Sequence, residues 1–232
     1  MTGAKTSSNV TAPTLLVEAG GQRYAYRRFG TGSARPLLLL QHFTGTLDNW
    51  DPAVTDPLAC SREVILFDNA GVGRSAGTVP TTIADMAQHV LSFLGALKLE
   101  SCDVLGYFAP TESSQAAGAE FVARLAQRKE DRDPVSGPQV ARAQVAAFRE
   151  WEHFEGERFA DLRHIRQPTL VVNGIHDEMI PVANSYWLSQ NLPDAVLMTY
   201  PDSGHGSLFQ FHESFIRQAS AFLDSKSAVA PY

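Results

Sequence analysis

Two residue types that cooperate in proton transfer stand in the C-terminal third of the chain, each just beyond an apolar run. "PTLVVNGIHDEMIP" places Asp177 behind one such run, and "AVLMTYPDSGHGS" places His205 behind the next. Both runs have the length and composition of buried parallel strands. Open parallel sheets build their sites at the carboxyl ends of strands. A carboxylate beside an imidazole fixes its tautomer and stabilises the imidazolium formed when the ring takes a proton. Gly204 and Gly206 flank the histidine and give its loop freedom to turn. Taken singly, Asp177 reads as a helix cap and His205 as a surface residue. Together, after successive strands, they read as a general base and its orienting acid.

The elements that must hold this pair can be placed from hydrophobic period and turn residues. "TLLVEAG" and "RYAYRRFG" are β-rich runs joined at Gly20-Gly21, a hairpin pattern. "PLLLLQHF" and "EVILFD" are short apolar runs suited to strands covered on both faces. "TLDNWDPAVTDPLAC", between them, reads as a loop and a short helix. From Thr82 to Leu97, Ile83, Met86, Ala87, Val90, Leu91, Leu94 and Leu97 recur at helical spacing, with Thr81 or Thr82 as cap. The strand "CDVLGY" follows. Two helices, Glu112–Arg128 and Gly137–Trp151, are separated by "KEDRDPVSGP", and the interval from Thr111 to His153 offers no strand. The alternation resumes with "PTLVVNG", a helix over Val182–Asn191, "AVLMTYP", and a last helix lined by Phe215, Ile216, Ala219, Phe222 and Leu223. Alternating strands and helices predict a mostly parallel sheet with helices on both faces.

Composition narrows the function classes. At 232 residues, with 44% hydrophobic and 19% charged residues, the chain suits a single α/β domain, with residues 111–155 as a cap-like helical insertion. A net charge of -6 and no basic stripe argue against nucleic acid as a partner. The polar leader "MTGAKTSSNVTAPT" has no signal-peptide core and no stretch is long enough to span a membrane, so a cytoplasmic location is expected. Cys60 and Cys102 read as two reduced, buried thiols. His42, His164 and His176 have no Cys or His partner at ligand spacing, so no metal and no cofactor are expected. Trp50, Trp151 and Trp187 read as packing residues.

The stretches "LLLLQHFTGTLDNWDP", "VILFDNAGVGRSAG", "PTLVVNGIHDEMIP" and "YPDSGHGSLFQ", with the amphipathic helix between them, resemble the α/β-hydrolase fold family over residues 14–224. Within that family the chain is similar to the single-domain esterase and haloperoxidase-like members. The resemblance implies hydrolysis of small esters or related acyl substrates, with Asp177 as triad acid and His205 as base. It also implies an oxyanion-hole amide at Phe43, where many members have His-Gly and this chain has His42-Phe43. Met179 and Phe209 would border an apolar acyl pocket.

In the family the nucleophile precedes the acid and the histidine comes last, with the nucleophile in a G-x-S-x-G turn joining a strand directly to a helix. The strand in that place is "CDVLGYFAP", which puts Phe108 at the serine position and Pro110 at the second glycine. Phenylalanine carries no nucleophilic atom, and the proline removes an N–H and restricts Ala109. A literal G-x-S-x-G stands at Gly73, Ser75 and Gly77, but its strand ended at Asp68 and its helix is delayed by "TVPTT". Asp68, Gly71, Gly73 and Ser75 match a structural loop of the family instead. Ser75, Ser113 and Ser114 are weak nucleophile candidates; the last two could approach His205 only by an unusual path of the chain after Gly106, and read rather as helix caps. A strand-helix crossover needs roughly 30 residues, and no strand lies between Tyr107 and Gln167. The chain is therefore expected to lack the serine, the elbow helix, the next strand and the front of the cap, with the join at Tyr107-Phe108. The strands on either side then pair directly, or an edge is left for a homodimer through an exposed or exchanged strand. The alternative to an impaired esterase is a non-catalytic scaffold that binds a small apolar ligand.

Overall fold

Gly20 and Gly21, with φ of 58° and 75°, turn β1 (Leu15–Ala19) back onto β2 (Gln22–Phe29) as an antiparallel hairpin. Side chains with a β-carbon adopt such positive φ values reluctantly, so the glycine pair fixes this turn. The computed structural model describes residues 7–106, 115–153 and 156–227. They fall into two units, 7–106 with 125–153, and 115–124 with 156–227.

The first unit is built on a five-stranded sheet of order β1-β2-β4-β3-β5, with β3 at Ala34–Leu40, β4 at Arg62–Phe67 and β5 at Asp103–Gly106. β2 runs antiparallel to β4, whereas β3 lies parallel to both β4 and β5. The apolar runs of β3 and β4 bury Leu37, Leu38, Leu39, Ile65 and Leu66 completely or nearly so, as a strand with two neighbours requires. β5 differs. It pairs with β3 and with no other described strand, and Val104 at its centre is 55% exposed. The buried strand expected at residues 102–105 is thus a half-covered edge. Its register is pinned at the amino end, where Arg62 and Arg35 reach Asp103 at 2.9 and 3.2 Å.

Helices cover this sheet. α1 (Pro52–Leu58) starts behind Asp51, which caps the Ala53 N–H, and carries proline at its first position. α2 (Ile83–Ala96) is capped by Thr82, whose hydroxyl accepts the Asp85 N–H at 3.0 Å. Its Phe93 ring lies 4.4 Å from Phe67 and 5.4 Å from Tyr26, and these residues with Tyr24, Leu38 and Ile65 form the core. α3 (Gln115–Leu125) and α4 (Pro138–Glu152) match the two helices expected from the sequence.

The stretch between them departs from its sequence reading as a mere breaker. Arg128 donates to the Asn9 and Val10 carbonyls at 3.0 Å, and the Asp133 N–H donates to Asp48 at 2.7 Å. Arg27, wholly buried in β2, pairs with Asp48 at 2.8 Å and lies 3.7 Å from Asp133. Arg74 pairs with Asp131 and stands 3.6 Å from Asp133. A buried ion cluster therefore ties residues 128–133 to the sheet.

The second unit has a two-stranded parallel sheet, β6 (Thr169–Gly174) with β7 (Ala195–Tyr200), in register from Thr169 opposite Ala195 to Gly174 opposite Tyr200. α5 (Val182–Asn191) connects the strands, and α6 (Ser207–Gln210) and α7 (His212–Ser227) follow β7. Phe121 of α3 stacks on Phe209 at 4.7 Å, and Tyr200 stacks on Phe211 at 5.0 Å.

Among the described residues β6 pairs with β7, and β5 with β3. The join itself, with Phe108, Ser113 and Ser114, lies outside the described residues. Three smaller expectations are corrected by exposure. Cys60 is exposed at the end of α1, and Trp151 and Trp187 are exposed on their helices, whereas Trp50 is buried as expected. Helix ends and outward faces can carry large residues that sequence period alone assigns to packing.

Candidate active site

The loops after β6 and β7 are held together by backbone. The Ile175 N–H donates to Tyr200 O and the His176 N–H donates to Ser203 O, both at 2.9 Å. This approach is close enough to exclude a side chain at Gly174. A β-carbon there would stand 2.2 Å from the carbonyl oxygens of both Ser203 and Gly204. Asn173 adds a second fastening: its amide nitrogen donates to Ile180 O at 2.9 Å and Ser185 Oγ at 3.1 Å. Its oxygen accepts the Gly174 N–H at 2.8 Å.

Within that frame Asp177 Oδ1 accepts the N–H groups of Met179 and Ile180, both at 2.9 Å. The other oxygen, Oδ2, lies 2.6 Å from Nδ1 of His205. The two side chains are 1% and 7% exposed. A carboxylate fixed by two backbone donors is a rigid acceptor, and it places the imidazole proton on Nδ1. The basic lone pair of the ring is then on Nε2. The pair read from the sequence is assembled in one unit.

The glycine that matters is not one of the two beside the histidine. Gly206 has φ of -87°, open to any residue, and Gly204 is not among the glycines of positive φ. Gly174 is the position that sequence reasoning missed. Its only sequence signal is a glycine at the carboxyl end of an apolar run. Phe209 is buried in its stack with Phe121, and Met179 is half exposed.

In the first unit, the turn after β3 runs through Gln41, His42, Phe43 and Thr44, the last with φ of 58°. The Thr44 N–H is taken by Gln144 Oε1 at 2.7 Å, and the Gly45 N–H by His42 O at 2.9 Å. The Phe43 N–H has no acceptor among the described residues. Its ring packs 5.9 Å from Phe148 of α4. An uncommitted amide at this turn is the kind of donor that an oxyanion requires.

Ser75 is placed differently. Its buried hydroxyl donates to Asp68 O at 2.7 Å and accepts the Ala25 N–H at 2.8 Å. Its own N–H donates to Val72 O. The hydroxyl pins its loop to β2 and β4.

Asp68 and Asp133 form a further acidic pair beneath Gly73. A β-carbon at Gly73 would meet Asp68 Oδ2 at 2.0 Å and Asp133 Cγ at 3.4 Å. Burial and then the neighbouring Asp133 charge push the Asp68 carboxyl well above the usual carboxylate range, against the Leu47 N–H and Arg27. Among the described residues no group of His, Cys, Asp and Glu has the arrangement of a metal site. No described helix is long and apolar enough to cross a membrane.

Comparison with known proteins bears on the fold. Residues 133–228 match the family described as TAP-like protein. An α/β-hydrolase fold protein from Chitinophaga pinensis is 36% identical, with a TM-score of 0.87, over 94% of this chain and all of that one. The enol-lactonase of Burkholderia xenovorans LB400 shares the fold at 18% identity, with a TM-score of 0.73 over 90% of this chain and all of its own. RutD of Caulobacter sp. (strain K31), named a carbamate hydrolase, is 25% identical over 238 residues. That alignment uses 77% of this chain and 87% of RutD. It is longer than the part of this 232-residue chain that it uses, so tens of RutD positions face no residue here.

Proposed function

The chain belongs to the α/β-hydrolase fold family, and from that premise we propose that it retains the acid–base half of a serine hydrolase without the nucleophile elbow. In this reading His205 is the general base, Asp177 its orienting acid, and the Phe43 N–H an oxyanion donor. The ancestral substrates are small esters or related acyl compounds. The observation that carries the reading is the edge position of β5: β3 is its one described partner, while an Asp–His pair stands ordered after β6 and β7. In the family the elbow helix and next strand follow such a strand. The number of unmatched RutD positions is of the size that such a deletion requires.

Acyl transfer at a serine needs an oxygen within hydrogen-bond reach of the base. Without it the remaining groups offer at most the residual rate left by an oxyanion donor and substrate binding, about 10³–10⁴ over water in enzymes stripped of their triad. Short-chain p-nitrophenyl esters are expected to show no turnover that depends on His205. His205→Ala should change the rate by less than about twofold, within the noise of such low rates. Saturable turnover in the parent chain that disappears in His205→Ala would overturn the reading. If it also disappeared in Ser75→Ala, the G-x-S-x-G loop would be the nucleophile after all.

A second reading concerns the open ladder. We propose that the outer edge of β5 is covered by the same strand of a second chain, because an unpaired edge with half-exposed Val104 is a template for strand addition. Light scattering at micromolar concentration should give twice the chain mass. A monomer would refute this assembly.

A further inference from the structure

The apolar stripe of α2 shows where the first unit is under-packed. Its spacing predicts Ile83, Met86, Ala87 and Val90 against the core, yet Phe93 is the one buried residue of that helix. Ile83, Met86 and Val90 are partly exposed, and Ala87 is exposed. Together these residues form one wall of a cavity of about 240 Å³. The other walls are Leu40 and Phe67, at the carboxyl ends of β3 and β4, and Gly106, the last residue of β5. Every described residue of the lining comes from the first unit.

We propose that this cavity is a binding site for a small neutral, largely apolar molecule of one or two rings, with one or two hydrogen-bonding groups. The proposal rests on the reading that the elbow helix is absent, since that helix would otherwise cover the α2 stripe. Three observations fix the ligand class. Size comes first: an apolar cavity of about 150 Å³ takes benzene, so 240 Å³ has room for a fused pair of rings. Charge is second: among the described residues no Asp, Glu, Lys, Arg or His lines the walls, so an ionised ligand would lose its hydration with no described counter-charge to replace it. Polarity is third: the uncharged amides Gln41, Asn69 and Gln144 are the long polar side chains of the lining. Gln144 Oε1 and the Asn69 amide are already engaged, with Thr44, Ala70 and Met86. Neither amide atom of Gln41 has a partner among the described residues. The Gln41 amide therefore offers a ligand one acceptor and one donor group, and the indole N–H can use the acceptor. The position also fits, because ligands in open α/β sheets gather at the carboxyl ends of strands.

The test is a titration of the full chain with indole, followed by methyl NMR of its methionines. Met86 lines the cavity, whereas Met179 and Met198 lie in the second unit and report non-specific binding. Indole should shift the Met86 methyl saturably, with a Kd on the order of 1 mM for so small a ligand. Met179 and Met198 should stay still. Indole-3-acetate, the same rings with a carboxylate, should bind at least about tenfold more weakly. Ala87→Phe, at an exposed helix position that the fold tolerates, should fill the cavity and abolish the Met86 shift. No saturable shift, equal affinity for indole-3-acetate, or unchanged binding in Ala87→Phe would each overturn the site. Those failures leave the missing-elbow reading intact. His205-dependent ester turnover would remove that reading whatever indole does.

Discussion

Arg27→Met is expected to lower the unfolding midpoint by roughly 10 °C, whereas Arg28→Met, one residue along the same strand, is expected to move it by no more than a few degrees. The difference lies in burial. Arg28 meets Glu63 through two bonds of 2.7 Å, but both side chains are partly exposed and water replaces what is lost. Exposed pairs of this kind contribute about 0–1 kcal/mol. Arg27 is completely buried and bonds to Thr14, Asp48 and the Asp131 carbonyl, with Asp133 at 3.7 Å. Methionine fills much of the same volume but leaves the Asp48 and Asp133 carboxylates without their shared cation. Breaking a buried pair from one side costs about 3–5 kcal/mol. At this chain length each kcal/mol is worth about 2–4 °C. Thermal denaturation of the two variants under one set of conditions decides the matter. Equal shifts would mean that the cluster does not fasten residues 128–133 to the sheet.

This cluster marks the limit of what sequence period reveals. Period and turn residues placed every described strand, because burial of apolar side chains leaves a repeating trace. They also located Asp177 and His205, since both lie at the ends of such traces. Arg27, Asp48 and Asp133 leave no trace of that kind. Charged residues read as solvent-facing, and the Asp133 to Asp48 contact spans 85 positions. "KEDRDPVSGP" therefore looks like a linker, although Arg128 just before it is buried and so is the side chain of Asp133 within it. Gly174 was hidden for a related reason. Its need for a bare α-carbon arises from the loop after β7, which only the folded chain brings near.

The half-exposure of β5 and of the first turns of α2 follows the same logic in reverse. Both sequences are apolar enough for a covered position, and both are uncovered on one side. Sequence pattern reports the environment a segment is suited to. Where the structure does not provide that environment, the mismatch marks a face that no described element covers. Here the two mismatches border the same place, the carboxyl end of β5 at Gly106.

The stability of the chain should fall as pH rises above the ordinary carboxylate range, and Asp68→Asn should remove that fall. Asp68 and Asp133 meet beneath Gly73, with Arg27 and Arg74 near Asp133 and Asp48 across the cluster. Burial raises both carboxyls, Asp68 most. In the unfolded chain Asp68 titrates near about 3.9. Between that pH and its raised folded value the folded chain holds the extra proton, so stability decreases with rising pH through this window. Below the unfolded value the stabilisation is fully present. Asp131 has the opposite sign. Although burial raises it, the Thr14 N–H and Arg74 hold it at about 2, so its contribution is lost as pH falls through that value. Asparagine at position 68 keeps an oxygen for the Leu47 N–H, which Asp68 accepts at 3.0 Å, and offers Asp133 a permanent donor. Asp68→Asn should therefore melt several degrees above the parent at about pH 8, at about 2–4 °C for each kcal/mol recovered. The two chains should converge toward about pH 4, where the parent carries its own proton. Parallel melting profiles across that range would show that no proton is shared between the two carboxyls.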